Sequence, residues 1–129
     1  MKRIFKFFMG LILFGLTLTA CTGGAQNITE SMDGQTVTVK AGESFTIKLS
    51  GNPTTGYGWQ MADVDTSIVQ QDGKTAYKMD LPIAGSGGMY TYHFKAVSAG
   101  TTILNFKYLR SWEKDKAPYK TFTITIEVQ

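Results

Sequence analysis

The sequence has little of the chemistry that enzymes use, since its 129 residues include one cysteine and one histidine. A single cysteine cannot close a disulfide within the chain, so any exported domain must be held by its apolar core. The histidine, His93, falls on the polar side of an alternating pattern, which favours an exposed strand residue over a catalytic base. Asp63 and Asp65 lack the ligand number that calcium needs. We therefore predict a protein that is not an enzyme, with no metal site and no cofactor.

Long apolar runs are absent beyond the first twenty residues. Lys2, Arg3 and Lys6 form a basic region, and residues 4–18 are almost wholly apolar. This apolar run is shorter than the ~20 residues of a membrane span and typical of a secretory signal. The run ends in Leu18-Thr19-Ala20-Cys21, which resembles a bacterial lipobox, where the cysteine is diacylated after cleavage. Because this is the single cysteine, lipidation of Cys21 is favoured over an ordinary signal that leaves a free thiol.

These features predict three parts: a lipoprotein signal peptide (1–20), a lipidated N-terminus with a flexible tether (21–34), and one domain (35–129). The tether is predicted because its residues are polar and show no periodicity. The chain has 13 Lys and Arg against 10 Asp and Glu, and the signal holds three of the basic residues and no acidic one. The mature chain is thus neutral, which gives no reason to expect nucleic-acid binding. We expect a monomer, exported and anchored in a bacterial envelope at the outer membrane or cell surface.

Hydrophobic residues alternate with polar ones in five segments after residue 35, which predicts antiparallel strands buried on one face. The positions predicted to share the buried face are Val37 and Val39; Phe45, Ile47 and Leu49; Tyr90, Tyr92, Phe94 and Ala96; Thr102, Leu104, Phe106 and Tyr108; and Phe122, Ile124, Ile126 and Val128. Weaker strands are predicted at 57–61, 67–69 and 76–81, with Asp72-Gly73-Lys74 as a hairpin turn. The fold prediction is all-β: an immunoglobulin-like antiparallel sandwich of about seven to eight strands with Greek-key connections and Trp59 inside.

Three loops between these strands have compositions that a simple turn does not require. The first is Asn52-Pro53-Thr54-Thr55-Gly56 followed by Tyr57, in which proline and glycine restrict the backbone. The second is Gly85-Ser86-Gly87-Gly88 before Met89, where the lack of side chains lets backbone approach a partner. The third, Leu109 to Glu113, carries Arg110 and Trp112, residue types that dominate interface hot spots. A Greek-key sandwich can bring such loops to one end, which predicts a shared binding surface.

Those loops, in that order, resemble the chagasin family of cysteine-peptidase inhibitors, which has Asn-Pro-Thr-Thr-Gly, Gly-x-Gly-Gly and Arg-Pro-Trp-type loops. The resemblance covers about residues 36–129, and Ser111 departs from the usual proline. It implies a wedge of three loops that enters the cleft of papain-like peptidases, with reversible, competitive inhibition. Thr54 would lie nearest the catalytic Cys–His pair and Trp112 on the primed side. The second loop, with Met89 and Tyr90, would lie on the non-primed side.

Two other functions fit the sequence without the resemblance. A carbohydrate-binding or adhesive sandwich would use Tyr57, Trp59 and Trp112 as a stacking platform. A structural envelope lipoprotein would need no function for its loops, with Pro53 and Gly56 only shaping a turn. The predicted peptidase contacts are Asn52, Pro53, Thr54, Thr55, Gly56, Tyr57, Gly85, Ser86, Gly87, Gly88, Met89, Arg110, Ser111 and Trp112.

Overall fold

The computed structural model describes residues 26–129, so the predicted signal peptide and the lipidation of Cys21 lie outside the described residues. Within that range no helix is long and apolar enough to cross a membrane. Two short 3-10 turns, Glu30–Met32 and Pro53–Thr55, interrupt nine strands. The strands are β1 (Gln26–Thr29), β2 (Thr36–Val39), β3 (Ser44–Gly51), β4 (Gly58–Met61), β5 (Val69–Gln71), β6 (Ala76–Met79), β7 (Gly88–Ala96), β8 (Gly100–Leu109) and β9 (Lys120–Val128).

The strands form two sheets that pack face to face. One has the order β1-β3-β7, with β5 and β6 both paired to β7, and the other has the order β2-β9-β8-β4. The predicted all-β, immunoglobulin-like sandwich is therefore confirmed, with nine strands where about seven to eight were expected. The expectation of purely antiparallel sheets is wrong, because β1 runs parallel to β3 and β2 runs parallel to β9. Strands β1 and β3 lie in one sheet and β2 and β4 in the other, so no tight hairpin connects β1 or β2 to the strand that it pairs with. The direction of these two edge strands is therefore not forced to be antiparallel.

The core lies between the sheets and includes most of the predicted inward positions, while Tyr90 is only partly buried. Phe45, Phe94, Phe106 and Phe122 are fully or almost fully buried, and the rings of Phe45 and Phe94 stack with centroids 5.3 Å apart. Each such side chain stabilises the fold by about 1.5–3 kcal/mol relative to an exposed one. The exposed face includes His93, as predicted. A core of this kind needs no disulfide to hold the loops that extend from it.

Residues 26–34 belong to the sandwich, so the tether prediction is wrong for this part of its range. Strand β1 pairs with β3, and the Ile28 side chain is fully buried beside Ile47. Further along, the Asp33 carboxylate accepts a hydrogen bond of 2.7 Å from the Thr123 amide. The segment looked aperiodic because a four-residue edge strand with one buried side chain is too short to show a period of two.

Replacing Ile28 by alanine tests whether this segment carries stability. We expect Ile28→Ala to lower the free energy of unfolding by about 2–3 kcal/mol, since it removes a buried side chain and leaves a cavity. The matched control is Ile103→Ala, because Ile103 is 53% exposed on the outer face of the other sheet. Urea unfolding measures both, and equal midpoints for the two variants would contradict the placement of Ile28 in the core.

The segment around Asp72-Gly73-Lys74 connects β5 to β6, which lie one after the other along the same edge of the sheet. The predicted hairpin turn is therefore wrong. Strands β5 and β6 do not pair with each other; both run antiparallel to β7. Val69 lies opposite Ala96 at one end of β7, and Met79 lies opposite Gly88 at the other. The chain therefore continues in one direction along β7. As a consequence, the loop that follows β6 starts beside the end of β3.

Candidate functional site

The three loops that the sequence singles out leave the same end of the sandwich. Gly51, the last residue of β3, lies opposite Gly88 of β7, and Gly58 of β4 lies opposite Leu109 of β8. We name the connections loop 1 (52–57), loop 2 (80–87) and loop 3 (110–119), and call this the loop end. The predicted convergence of the loops is present in the structure, and contacts among them hold it in place.

Loop 1 is a rigid turn in which several hydrogen bonds join its own residues. The Asn52 side-chain oxygen accepts from the Thr54 amide at 3.1 Å and from the Thr54 hydroxyl at 2.6 Å. The Thr55 hydroxyl donates to the Asn52 carbonyl at 2.6 Å, and the Gly56 amide donates to the Pro53 carbonyl at 3.0 Å. Gly56 has φ +83°, which favours glycine. Pro53 and Thr54 therefore stand exposed at a tip of fixed shape.

Loop 2 is joined to loop 1 through Asn52, and its two flanking strands pack closely at Gly88. The Asn52 side-chain nitrogen Nδ2 donates to the Gly85 carbonyl at 3.0 Å. A Cβ on Gly88 would overlap the Lys78 carbonyl oxygen, and one on Gly87 would lie 3.4 Å from the Gly51 carbonyl oxygen. At Gly88 the close approach that glycine permits is thus made within the chain, whereas a Cβ on Gly87 would make only an ordinary van der Waals contact. Gly88 is also buried, so its role is to position the exposed part of loop 2.

Loop 3 is held against loop 1 by Arg110. Its Nε donates to the Thr55 carbonyl at 3.0 Å, and its guanidinium carbon lies 4.4 Å from the centre of the Tyr57 ring. Its Nη1 donates to Glu113 at 3.1 Å, and this hydrogen bond is the main reason that the pKa of the Glu113 carboxyl lies below its usual range. Because that pKa is lowered, the bond stabilises the loop at neutral pH and is lost only as the pH falls through the lowered value.

Trp112 is the exposed aromatic residue nearest the tip of loop 1. Its side chain is 64% exposed, and a Cβ on Gly56 would overlap its indole ring. The indole therefore lies directly against the backbone of Gly56, which only glycine permits. Ser111, where the family pattern has proline, is also exposed. Loop 3 thus presents a large aromatic surface beside Gly56 of loop 1.

The aromatic residues behind the tip are half-buried at Tyr57 and Trp59 and buried at Tyr108. Tyr57 stacks on Tyr108 with ring centroids 5.4 Å apart, and the Tyr108 hydroxyl accepts from the Asn52 amide at 2.8 Å. Trp59 is partly buried and packs against the core, which confirms its inward assignment. Of the three aromatics of the glycan-stacking interpretation, only Trp112 is exposed. Tyr57, Trp59 and Trp112 therefore do not form a flat open platform.

The base of loop 1 is held by side chains from three separate strands or turns, all meeting at Ser50. Strand β1 ends opposite Lys48, so it does not reach Ser50. The Glu30 carboxylate accepts from the Ser50 amide and from its hydroxyl, while the Trp59 indole donates to the Ser50 carbonyl at 3.0 Å. Lys120 lies 3.6 Å from Glu30 and 5.2 Å from the Trp59 ring centre. Side chains thus supply the partners that a longer β1 would have provided.

Two substitutions at Glu30 separate its hydrogen bonds to Ser50 from its ion pair with Lys120. Glu30→Ala leaves the Ser50 amide without its acceptor, and we expect a loss of about 1–2 kcal/mol in the free energy of unfolding. Glu30→Gln keeps an oxygen acceptor and loses only the ion pair with Lys120, which should cost about 0.5 kcal/mol or less. Chemical denaturation measures both values. Equal losses for the two variants would show that the carboxylate does not act through Ser50.

Sequence reasoning missed several exposed apolar residues at the loop end. Leu81 is 57% exposed and Ile83 is 59% exposed, both in loop 2, and Tyr119 is exposed in loop 3. Met89 is exposed as predicted. The available signal was Leu81-Pro82-Ile83, since a proline within an apolar run argues against a central strand and for an edge or loop. The apolar surface of loop 2 therefore comes from these side chains as well as from the glycine run.

The loop end contains groups for contact and none arranged for chemistry. Within residues 26–129, no group of three or more His, Cys, Asp or Glu residues could hold a metal ion. His93 lies in β7 opposite Thr46, among strand residues well away from loop 1. The fold and the site together define an immunoglobulin-like binding domain whose contact surface is formed by three interlocked loops.

Comparison with known proteins places this domain in a family. Residues 38–126 match the model of the chagasin family of peptidase inhibitors, I42. The chain is 29% identical to Amoebiasin-2 of Entamoeba histolytica over 92% of its length and 97% of the relative. It is 29% identical to chagasin of Trypanosoma cruzi over 80% of its length and 97% of that protein. The crystal structure of a cysteine protease inhibitor from Entamoeba histolytica superposes with a TM-score of 0.74 at 26% identity, covering 82% of this chain and 96% of that one. The chain belongs to the chagasin family, whose members are peptidase inhibitors and not enzymes.

Proposed function

We propose that this protein inhibits papain-like cysteine peptidases reversibly and competitively, by filling the active-site cleft with loops 1, 2 and 3. The observation that carries the proposal is the set of contacts from Asn52 and Arg110 that locks the three loops together in the free protein. Loops ordered before binding avoid an entropy cost of about 0.5–1.5 kcal/mol for each side chain that would otherwise be immobilised. The surface therefore suits tight binding to a preformed cleft.

The shape of loop 1 accounts for inhibition without cleavage. A peptidase attacks a carbonyl that is held in line with its thiolate, in a chain bound as an extended strand. Residues 53–55 form a 3-10 turn, and the Thr54 amide and hydroxyl are both bonded to Asn52. Extending the turn would break these bonds. Loop 1 can thus occupy the cleft without presenting a peptide bond in the reactive geometry.

The proposed roles follow the motif positions and the exposed surface. Thr54 lies nearest the catalytic Cys–His pair, and Trp112 packs on the primed side. Loop 2 lies along the non-primed side, where Leu81 and Ile83 join Met89 as apolar contacts. Ser111 replaces the usual proline, but Arg110 and the Trp112–Gly56 contact still hold loop 3 to loop 1.

Titration of papain with the purified protein tests the proposal. We expect a stoichiometric loss of activity that excess substrate restores and that dilution reverses. Papain whose thiol has been alkylated with a small group should still bind the inhibitor, because no covalent bond is formed. Progressive cleavage of loop 1, or inhibition that substrate does not relieve, would contradict the mechanism. Sedimentation of the free inhibitor should show a monomer.

The location is a second proposal, supported by the sequence of the first 21 residues. Cleavage after Ala20 and diacylation of Cys21 would anchor the inhibitor in the bacterial envelope, at the outer membrane or cell surface. Two acyl chains, at about 0.8 kcal/mol per buried CH₂, suffice for stable anchoring. Metabolic labelling with a fatty-acid analogue should mark the protein, and Cys21→Ser should abolish the label. Label that persists in that variant would disprove the anchor.

A further inference from the structure

The chain enters the sandwich at the end opposite the three loops. Gln26, the first residue of β1, pairs with Phe45 near the start of β3, whereas loop 1 follows Gly51 at the other end of that strand. The turns 40–43 and 97–99 also lie at this end, because Gly42 donates a hydrogen bond to Ala96 at the end of β7. We call this the far end of the domain.

The distance that the chain can cover limits how the domain can stand on a membrane. Gln26 follows Cys21 by five residues, which span at most about 17–18 Å when fully extended. From Phe45 to Gly51 the strand rises about 20 Å at ~3.3 Å per residue, and the 3-10 turn of loop 1 adds about 4–6 Å. For loop 1 to point straight down onto the lipid surface, with the strands perpendicular to it, Gln26 would have to lie about 25 Å above the lipid. The connecting residues are too few for that.

We propose that the far end of the domain faces the membrane and that the three loops point into the aqueous compartment. This inference rests on the proposed lipid anchor at Cys21. It specifies the partner further: a peptidase dissolved in that compartment, approaching from the side away from the lipid. A peptidase whose cleft opens at the surface of the same membrane could not receive the loops. The ordered strand β1 is decisive here, since a flexible tether running to residue 34 would have allowed the loops to face either way.

Fluorescence energy transfer from a label on the domain to a labelled lipid measures the orientation of the domain on the membrane. Because Cys21 is the single cysteine, the lipidated full-length protein has no other thiol, and one new cysteine can be labelled. Ala99 lies in the exposed turn at the far end, and Ala84 is exposed in loop 2. Both variants would be placed in phospholipid vesicles that contain an acceptor-labelled lipid. We expect strong transfer from the label at Ala99→Cys and weak transfer at Ala84→Cys, with an apparent difference of about 20 Å or more.

A flexible insert provides the matched control for tether length. Adding about 15 Gly and Ser residues between Gly24 and Ala25 lengthens the link to roughly 25 Å root-mean-square, and the difference between the two labels should then shrink. Equal transfer from both labels without the insert, or stronger transfer from Ala84→Cys, would overturn the orientation.

The experiment can refute the lipid anchor and the inhibitory function independently of each other. The anchor, and this inference with it, would be refuted if the protein did not bind vesicles. The same would follow if the Cys21→Ser variant bound them equally well. Vesicle-bound Ala99→Cys protein should still inhibit soluble papain with the stoichiometry seen in detergent. Unequal transfer without any inhibition of papain would support the orientation and refute the proposed inhibitory function.

Discussion

Replacing Trp112 by alanine is expected to raise the inhibition constant for papain by about 100-fold or more, as for other aromatic hot spots. The indole is 64% exposed in the free protein and stands beside the tip of loop 1. It can therefore be desolvated fully only when a partner covers it. Because most of the side chain stays in water and its contact with Gly56 joins only two surface loops, the midpoint of thermal unfolding should stay close to that of the parent.

The control for Trp112→Ala removes a comparably exposed apolar side chain elsewhere. Ile103 is 53% exposed on β8, away from the loop end, and Ile103→Ala should leave the inhibition constant unchanged. Competition assays at fixed peptidase and increasing substrate give both constants. Unchanged inhibition by the Trp112 variant would exclude loop 3 from the contact surface, even if the family assignment stands.

The sequence predicted the central strands of this fold because each of them buries one face over several alternating residues. Strand β9, for example, buries Phe122, Ile124, Ile126 and Val128. The edge strands carry too little of this signal. Strand β1 buries only Ile28, and β5 buries only Val69. Their pairing depends on contacts with β3 and β7, which are distant in the sequence, so local pattern could place neither the N-terminal strand nor the interrupted edge.

The residues of the candidate site also divide into those that the sequence predicted and those that it did not. Asn52, Arg110 and Trp112 were predicted because unusual residue types cluster in short loops, and all three make the contacts that hold the loops together. Glu30 was not predicted, although its carboxylate supports the base of loop 1 through Ser50. That contact joins residues 20 positions apart through an edge strand that the sequence did not reveal. Side chains that act on loop backbones from a distance leave no local motif.

A negative charge at the tip of loop 1 should have the largest effect on inhibition. We expect Thr54→Asp to raise the inhibition constant for papain by about 1,000-fold, because a carboxylate that loses its water without a partner costs about 3–5 kcal/mol. Arg110 offers no compensation, since it already binds the Thr55 carbonyl and Glu113. In the proposed complex this carboxylate would also face the peptidase thiolate.

Thr54→Ser is the matched control, because serine keeps the hydroxyl that donates to Asn52 at 2.6 Å. It should inhibit papain within about threefold of the parent, since a surface substitution that keeps its contacts changes the free energy by about 0.5 kcal/mol or less. Thr54→Ser should unfold at the same urea concentration as the parent, whereas Thr54→Asp loses the hydroxyl hydrogen bond to Asn52 and should be less stable by about 1 kcal/mol. If the aspartate variant inhibits as well as the serine variant, residue 54 does not enter the cleft. Peptidase binding would then depend on loops 2 and 3, and the rigid turn of loop 1 would serve only to hold Trp112 in place.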